Sequence, residues 1–286
     1  MHSLHPTGRI GPAWLTGLVL ALGLTSAASA QDQGAFGGVI RIDIDAFGAG
    51  SGQITFSELA IGSINPIMYP GAYGAPPDGV TVGFGGFFEG QSIGTRATCP
   101  QGAAVTGCVV GTPLAPLRLA MSAPATAIRQ DRANPRSPAL SGTPLFNGPV
   151  SFVFDRDIAG VGLAGGFFDV RESTAIRAFD RQGRLIGGVR NLNTGMDYMA
   201  LVTEDGTDRI AGVQFSLVGA ESAGFAIDDV SFARSGNLVR DNIQGLKPAP
   251  EMAPDMTPDM ALPQGEVPAM RLVPGMQLSR PITATP

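Results

Sequence analysis

Two adjacent carboxylates, Asp228 and Asp229, lie inside a short apolar segment late in the sequence. Large side chains alternate from Phe225 to Ile227, which is the period of a half-buried strand, and the alternation resumes after the aspartates with opposite parity. A phase change of this kind predicts a β-bulge or a strand end, where side chains are re-aimed and carbonyl groups become free. Carboxylates beside free carbonyls are hard oxygen ligands, so calcium is the first ligand to consider.

The same aspartate pair also has a structural interpretation that needs no metal. A carboxylate at a strand end can accept hydrogen bonds from nearby backbone amides and so cap the strand. Adjacent like charges near a core are nevertheless unfavourable unless a cation or an arginine compensates them. From the residues alone, a calcium ligand pair and a strand cap both remain open.

The first thirty residues have the order of a secretory signal peptide. A start containing Arg9 is followed by an apolar run from Trp14 to Leu24 and by the small residues Ala28-Ser29-Ala30. We expect cleavage before Gln31 and secretion to an extracellular or periplasmic space, with no transmembrane segment after cleavage. A membrane anchor is disfavoured, because the apolar run is shorter than the roughly 18 residues needed to span a bilayer.

Cleavage would remove both histidines, His2 and His5, and would leave Lys247 as the only lysine. A chain without imidazole excludes Ser-His-Asp and Cys-His nucleophiles and histidine-ligated zinc or copper. The whole chain has 24 acidic and 19 basic residues; without Arg9, 18 basic residues remain and the net charge is minus six. The sequence has no basic block, so nucleic acid is not expected as a partner.

Cys99 and Cys108 are the only cysteines. In an exported chain, two cysteines separated by a turn-rich stretch with Pro100, Gly102 and Gly107 predict one disulfide that closes a small loop. A redox pair is disfavoured because the spacing is not C-x-x-C.

Short segments with strand periodicity recur at intervals of about ten residues, with turn signals between them and no helical period. This pattern predicts an all-β fold, an antiparallel β-sandwich of jelly-roll type. The run from Arg129 to Pro149, with four prolines, is expected to be a long surface excursion. The predicted divisions are a signal peptide over 1-30, a glycine-rich lead-in over 31-49, the β-sandwich domain over 50-235 and a disordered Pro/Met-rich tail over 236-286.

Several segments together resemble exported bacterial jelly-roll proteins of the PEP-CTERM type, which are similar to carbohydrate-binding and discoidin-like sandwiches. The resemblance covers roughly residues 50 to 235, and its most specific part is the Phe-x-Ile-Asp-Asp-Val strand. The segments that carry it are Ile54-Thr55-Phe56-Ser57-Glu58, Gly79-Val80-Thr81-Val82, Val150-Ser151-Phe152-Val153-Phe154, Ile176-Arg177-Ala178-Phe179-Asp180 and Gly224-Phe225-Ala226-Ile227-Asp228-Asp229-Val230.

This resemblance implies a structural calcium held between an early strand and the last one, with Glu58, Asp228 and Asp229 as its ligands. In that group a Pro-Glu-Pro motif, a membrane segment and a basic end form a sorting signal. A proline-rich stretch stands at that place here, so we expect free secretion.

The leading functional hypothesis is a secreted, non-catalytic module that binds glycans or extracellular matrix polymers. Two alternatives are a structural surface or matrix protein without a small ligand and a carbohydrate-active enzyme that uses paired carboxylates. Because the mature chain has no tryptophan, flat crystalline polysaccharide is a poor candidate ligand. The candidate ligand-binding residues are Tyr69, Tyr73, Arg190, Asn191 and Asn193.

Overall fold

The computed structural model describes residues 34–57, 59–64, 67–69, 79–130, 137–222 and 225–248. These residues form an antiparallel sandwich of two large sheets and one small ribbon. The seven-stranded sheet contains, in spatial order, Ala35–Gly37 (β1), Leu185–Arg190 (β14), Thr174–Phe179 (β13), Ile210–Leu217 (β16), Val150–Ile158 (β11), Val82–Gly85 (β6) and Ile67–Tyr69 (β5). The eight-stranded sheet contains Val39–Arg41 (β2), Gly195–Thr203 (β15), Gly160–Phe168 (β12), Ala226–Ala233 (β17), Pro138–Ser141 (β10), Thr126–Gln130 (β9) and Gly62–Ile64 (β4), with Gly52–Ile54 (β3) also paired to β17. The ribbon pairs Gln91–Ile93 (β7) with Val109–Gly111 (β8).

One hydrophobic core fills the space between the two large sheets. Phe154 of the seven-stranded sheet meets Phe232 of the eight-stranded sheet with ring centroids 5.5 Å apart. Phe152 and Phe84 extend this aromatic contact within the core, and all of these rings are almost fully buried. From β11 to β17 the chain crosses repeatedly between the sheets, which buries the inward face of every strand in the same core. The predicted fold class is confirmed.

The described parts of both segments that flank the predicted domain, residues 34–49 and 236–248, belong to the sandwich. The lead-in contributes β1 and β2, which pair with β14 and β15 at the edges of the two sheets. At the other end, residues 236–248 continue beyond the boundary predicted at 235. Leu238 and Ile243 are buried there in a second cluster with Ala200 and Val202, on the outer face of the eight-stranded sheet. The predicted signal peptide and residues 249–286 of the predicted tail lie outside the described residues.

The prediction of a surface excursion from Arg129 to Pro149 is wrong for β10. This strand pairs with β9, and Leu140 also lies opposite Ile227 of β17, so the β9–β10 hairpin extends the eight-stranded sheet. Leu140 is fully buried in the core. The strand was not predicted because it is four residues long and lies among prolines, and Leu140 is its only large buried side chain. Residues 131–136, at the turn of the hairpin, are outside the described part of the chain.

The disulfide prediction is confirmed, because Cys99 and Cys108 are bonded to each other. The bridge closes the loop that leads into β8, and Gly94, next to β7, lies directly against it. In the stretches that the structure describes, no helix is long and apolar enough to cross a membrane.

The two phenylalanines Phe154 and Phe167 should respond oppositely to truncation. Phe154→Ala removes a fully buried ring from the contact between the sheets and should lower the free energy of unfolding by about 3–5 kcal/mol. Phe167 is 50% exposed, so Phe167→Ala should change it by less than about 0.5 kcal/mol. Urea unfolding followed by circular dichroism measures both. Equal losses for the two variants would contradict the assignment of the core.

Candidate functional site

The aspartate strand β17 contains a β-bulge. Two of its residues, Asp229 and Val230, lie opposite the single residue Leu163 of β12. Asp229 has φ of 47°, in the left-handed region that aspartate and asparagine tolerate better than most side chains. The bulge that the phase change predicted is therefore confirmed, and an aspartate occupies its strained position.

The bulge places both carboxylates on the same face of the sheet. Ile227 and Val230 both point into the core and are almost fully buried. In a regular strand, residues three apart would point to opposite faces, since side chains alternate with a period of two. The extra residue corrects this parity, so Asp228 and Asp229 both lie on the outer side of the eight-stranded sheet.

Asp228 is only 7% exposed and has several hydrogen-bond donors. Ser137, at the start of β10, donates its hydroxyl to Oδ2 at 2.8 Å, and the backbone N–H of Asp229 donates to Oδ1 at 2.8 Å. The carboxylate thus caps the bulge and ties it to the β9–β10 hairpin. This geometry matches the structural interpretation of the pair.

Two adjoining hollows form an open trough on this outer face. The first has a volume of about 350 Å³ and is mainly apolar, with Phe167 and Met196 on one side and Gln130 and Asp228 on the other. Phe167 is 50% exposed and Met196 is 48% exposed, so both present apolar surface to solvent. A half-exposed ring beside polar groups is the surface that binds the apolar face of a small polar ligand.

The second hollow, of about 540 Å³, has more polar residues in its lining. Ala164 lines both hollows, so they meet over β12. The polar groups of the second hollow come from four elements of the eight-stranded sheet and its loops, and they are Asp43, Gln53, Tyr198, Asp229 and Ser231. This hollow can therefore offer hydrogen-bond donors and acceptors to a ligand from several directions.

Gly162 makes room for Tyr198 at the floor of the second hollow. A Cβ atom at position 162 would collide with the Tyr198 hydroxyl and with Ala200, so only glycine fits beneath the ring. Burial is the main cause that raises the pKa of the Tyr198 phenol, and the nearby carboxylates of Asp229 and Asp43 raise it further. The phenol is therefore uncharged at physiological pH, and its oxygen is buried.

Burial also raises the pKa of the Asp229 carboxyl above its ordinary value. Neither Asp229 nor Asp43 forms an ion pair within the described ranges of the chain. Arg41, two residues before Asp43 in the sequence, donates to the backbone carbonyls of Tyr198 and Arg190. The trough thus has carboxylates that remain available to a ligand.

The predicted loop residues have different surroundings. Asn191 is fully buried: its Oδ1 accepts from Thr174 N–H at 2.9 Å, and its Nδ2 donates to two backbone carbonyls. Asn191 therefore supports its loop and is not available to a ligand. Asn193 is exposed and donates to Asp197 at 3.0 Å. Arg190 lies over the ring of Phe36 at 5.3 Å, on the opposite sheet from the trough.

Three predicted residues cannot be placed fully. Glu58 and Tyr73 lie outside the described residues, as does the side chain of Tyr69, although the backbone of Tyr69 belongs to β5. Over the part of the chain that the structure describes, no three His, Cys, Asp or Glu side chains are grouped closely enough to hold a metal ion. Asp228 and Asp229 fit two of the three expected calcium ligands by their chemistry, because both provide hard carboxylate oxygens on one face.

The apolar side of the trough was not predicted from the sequence. Phe167 and Phe168 are consecutive, and the period of two in a strand requires one of them to face outwards. That signal was present, and the structure shows that Phe168 is the buried residue. Met196, Gln53 and Asp43 gave no comparable signal, because only the pairing of distant strands brings them together.

No protein-family model matches this chain, and no curated protein sequence matches it.

Asp229→Asn should stabilise the protein more at neutral than at acidic pH, when calcium is chelated. The pKa of Asp229 is higher in the folded than in the unfolded chain. At pH values between these two pKa values the folded chain binds more protons, so the free energy of unfolding falls as the pH rises through this range. Asparagine removes this effect and tolerates the left-handed backbone. The melting temperatures of both proteins at about pH 3 and about pH 7 measure this effect. The melting temperature of the variant minus that of the wild type should be more positive at pH 7 than at pH 3. A difference that is constant with pH would contradict the burial of this carboxyl.

Proposed function

We propose that this protein is a secreted, non-catalytic module that binds glycans or extracellular matrix polymers through the trough of the eight-stranded sheet. The observation that carries the proposal is the trough itself: a half-exposed ring and thioether adjoin a polar hollow on an open sheet face. The secreted location rests on the signal-peptide pattern of residues 1–30 and agrees with the disulfide.

The lining of the trough suits a carbohydrate in two respects. A sugar ring has one apolar face, which packs on an aromatic ring such as Phe167, and a rim of hydroxyl groups that need hydrogen-bond partners. Gln53 and Ser231 provide such partners in the second hollow. A trough that is open to solvent along the sheet also admits a chain, whereas a closed pocket would admit only its end.

A glycan array probed with the secreted chain tests this proposal. We expect selective binding that is reduced at least tenfold by Phe167→Ala and by Gln53→Ala, because each removes one kind of contact. Leu185→Ala is the matched control, since Leu185 is an exposed apolar residue of the other sheet. Loss of binding in the control alone, or equal binding by all variants, would place the ligand elsewhere. No binding to any glycan would favour a structural matrix protein.

Hydrolysis of a glycan is a second candidate, favoured by one observation. Asp43 and Asp229 line the same hollow from different elements, and burial raises the pKa of Asp229, as a general acid requires. New reducing ends after incubation with a bound glycan, abolished in Asp43→Asn and Asp229→Asn, would establish this activity. Binding without new reducing ends would establish the non-catalytic module.

The proposal includes a calcium ion held by Asp228, Asp229 and Glu58, which would stabilise the bulge. The support is the shared outer face of the two aspartates and the resemblance described above. Calcium should raise the melting temperature of the wild type by a few degrees over chelator, since a ligand that binds only the folded state stabilises it. Asp228→Asn should abolish the increase, while Asp241→Asn, an exposed acid outside the trough, should retain it. An equal increase in all three proteins would indicate non-specific binding.

A further inference from the structure

A continuous row of residues crosses the outer face of the seven-stranded sheet, on the other side of the molecule's core from the trough. Strand pairing places its members side by side, and they are Phe36, Gly188, Arg177, Gln214, Ser151 and Gly85. Ile176 and Ala178, the neighbours of Arg177 along β13, point into the core instead. Arg177 therefore lies at the middle of the outer face, between strands on both sides.

A hydrogen-bond network fixes the orientation of Gln214 in this row. Its Nε2 donates to Gln91 Oε1 at 2.8 Å and to Ser151 Oγ at 3.0 Å. The Oε1 of Gln214 is consequently directed to the arginine, and Arg177 Nη2 donates to it at 2.6 Å and to Ser216 Oγ at 3.0 Å. The guanidinium is thus held in one position by neutral groups.

Arg177 has no acidic partner in the described chain, unlike other arginines of the sandwich. Four of them form ion pairs with an aspartate: Arg181, Arg184, Arg209 and Arg234. The Nε of Arg177 is buried without any hydrogen-bond acceptor. Burial lowers the pKa of its guanidinium and no carboxylate offsets that effect, whereas Asp197 and Asp43 offset it for Arg41. An arginine in such surroundings carries an uncompensated charge, which is unfavourable unless an anion binds.

A second guanidinium reinforces the positive charge of this face. Arg190 lies two residues from Gly188 on β14 and opposite Ala175 of β13, so its side chain emerges on the same face as that of Arg177. It lies over the Phe36 ring, and its contact with Glu172 is long, at 3.7 Å. Two arginines beside neutral hydrogen-bonding side chains form an electropositive surface.

We propose that the outer face of the seven-stranded sheet binds an oxyanion at Arg177, with Arg190 as the second cation. The ligand group is a carboxylate or a sulfate, because guanidinium N–H groups form charge-assisted hydrogen bonds to the oxygens of such a group. The two N–H groups of Arg177 Nη2 are used by Gln214 and Ser216, so these oxygens would bind at Nη1, which has no acceptor in the described chain. The source of the oxyanion is either a free inorganic ion or the acidic groups of a polymer.

Thermal unfolding in sodium sulfate, compared with sodium chloride at equal ionic strength, tests the site. Sulfate should raise the melting temperature of the wild type by a few degrees over chloride, and Arg177→Met should lose this increase, whatever its own stability in chloride. Arg184→Met is the control, since Arg184 is exposed and already pairs with Asp180. Arg177→Lys keeps the positive charge but not the planar guanidinium, so it should retain only part of the sulfate-dependent increase in melting temperature.

Affinity electrophoresis identifies the source of the oxyanion. Retardation of the wild type, but not of Arg177→Met, in gels that contain a sulfated or uronate polysaccharide would indicate an acidic polymer, with neutral dextran as the blank. A sulfate effect without retardation would indicate a free ion. An equal sulfate effect in Arg177→Met, or no effect of sulfate and no retardation, would overturn the proposal. Met121→Ala, which removes an exposed apolar side chain that lies in neither site, should leave both readouts unchanged.

Discussion

The parity of strand β17 is the constraint on which the site depends. A strand that is buried on one face has its large apolar side chains at every second position. A shift of register by one residue would turn all of these side chains to the other face of the sheet. Ile227 and Val230 both belong to the core, although they are three residues apart. The bulge at Asp229 is the local solution, and its consequence is that two carboxylates face outwards where a regular strand would show one.

The remainder of the eight-stranded sheet is consistent with that arrangement. β12, which pairs with the bulged strand, has glycine or alanine at its outward positions 160, 162, 164 and 166, and this leaves space above it for side chains of other segments, such as Tyr198 and Met196. The C-terminal residues 236–248 cover one end of the same face with a small hydrophobic cluster. One end of the sheet is therefore closed by the chain itself, and the trough occupies the part that remains open.

The sequence predicted local features better than distant ones. The all-β class, the disulfide and the bulge follow from periodicity, cysteine spacing and one change of phase, which are local patterns. β10 was missed because a four-residue strand between prolines has no periodicity to detect. The trough was missed for another reason: Asp43, Gln53 and Tyr198 are far apart in the chain, and only the order of strands in the sheet brings them together. The same holds for the row around Arg177, because register determines which residues are neighbours.

Gly162 also constrains how this surface can change during evolution. A single methyl group at this position would meet the Tyr198 hydroxyl from below, and the ring would have to leave its place. The same methyl group would also meet Ala200, which packs in the second buried cluster, whereas Leu163 and Val161 would keep the inward packing of β12. A single small substitution at this position would therefore alter the trough and the cluster behind it together, so the shape of this surface and the stability of the sheet cannot change independently there.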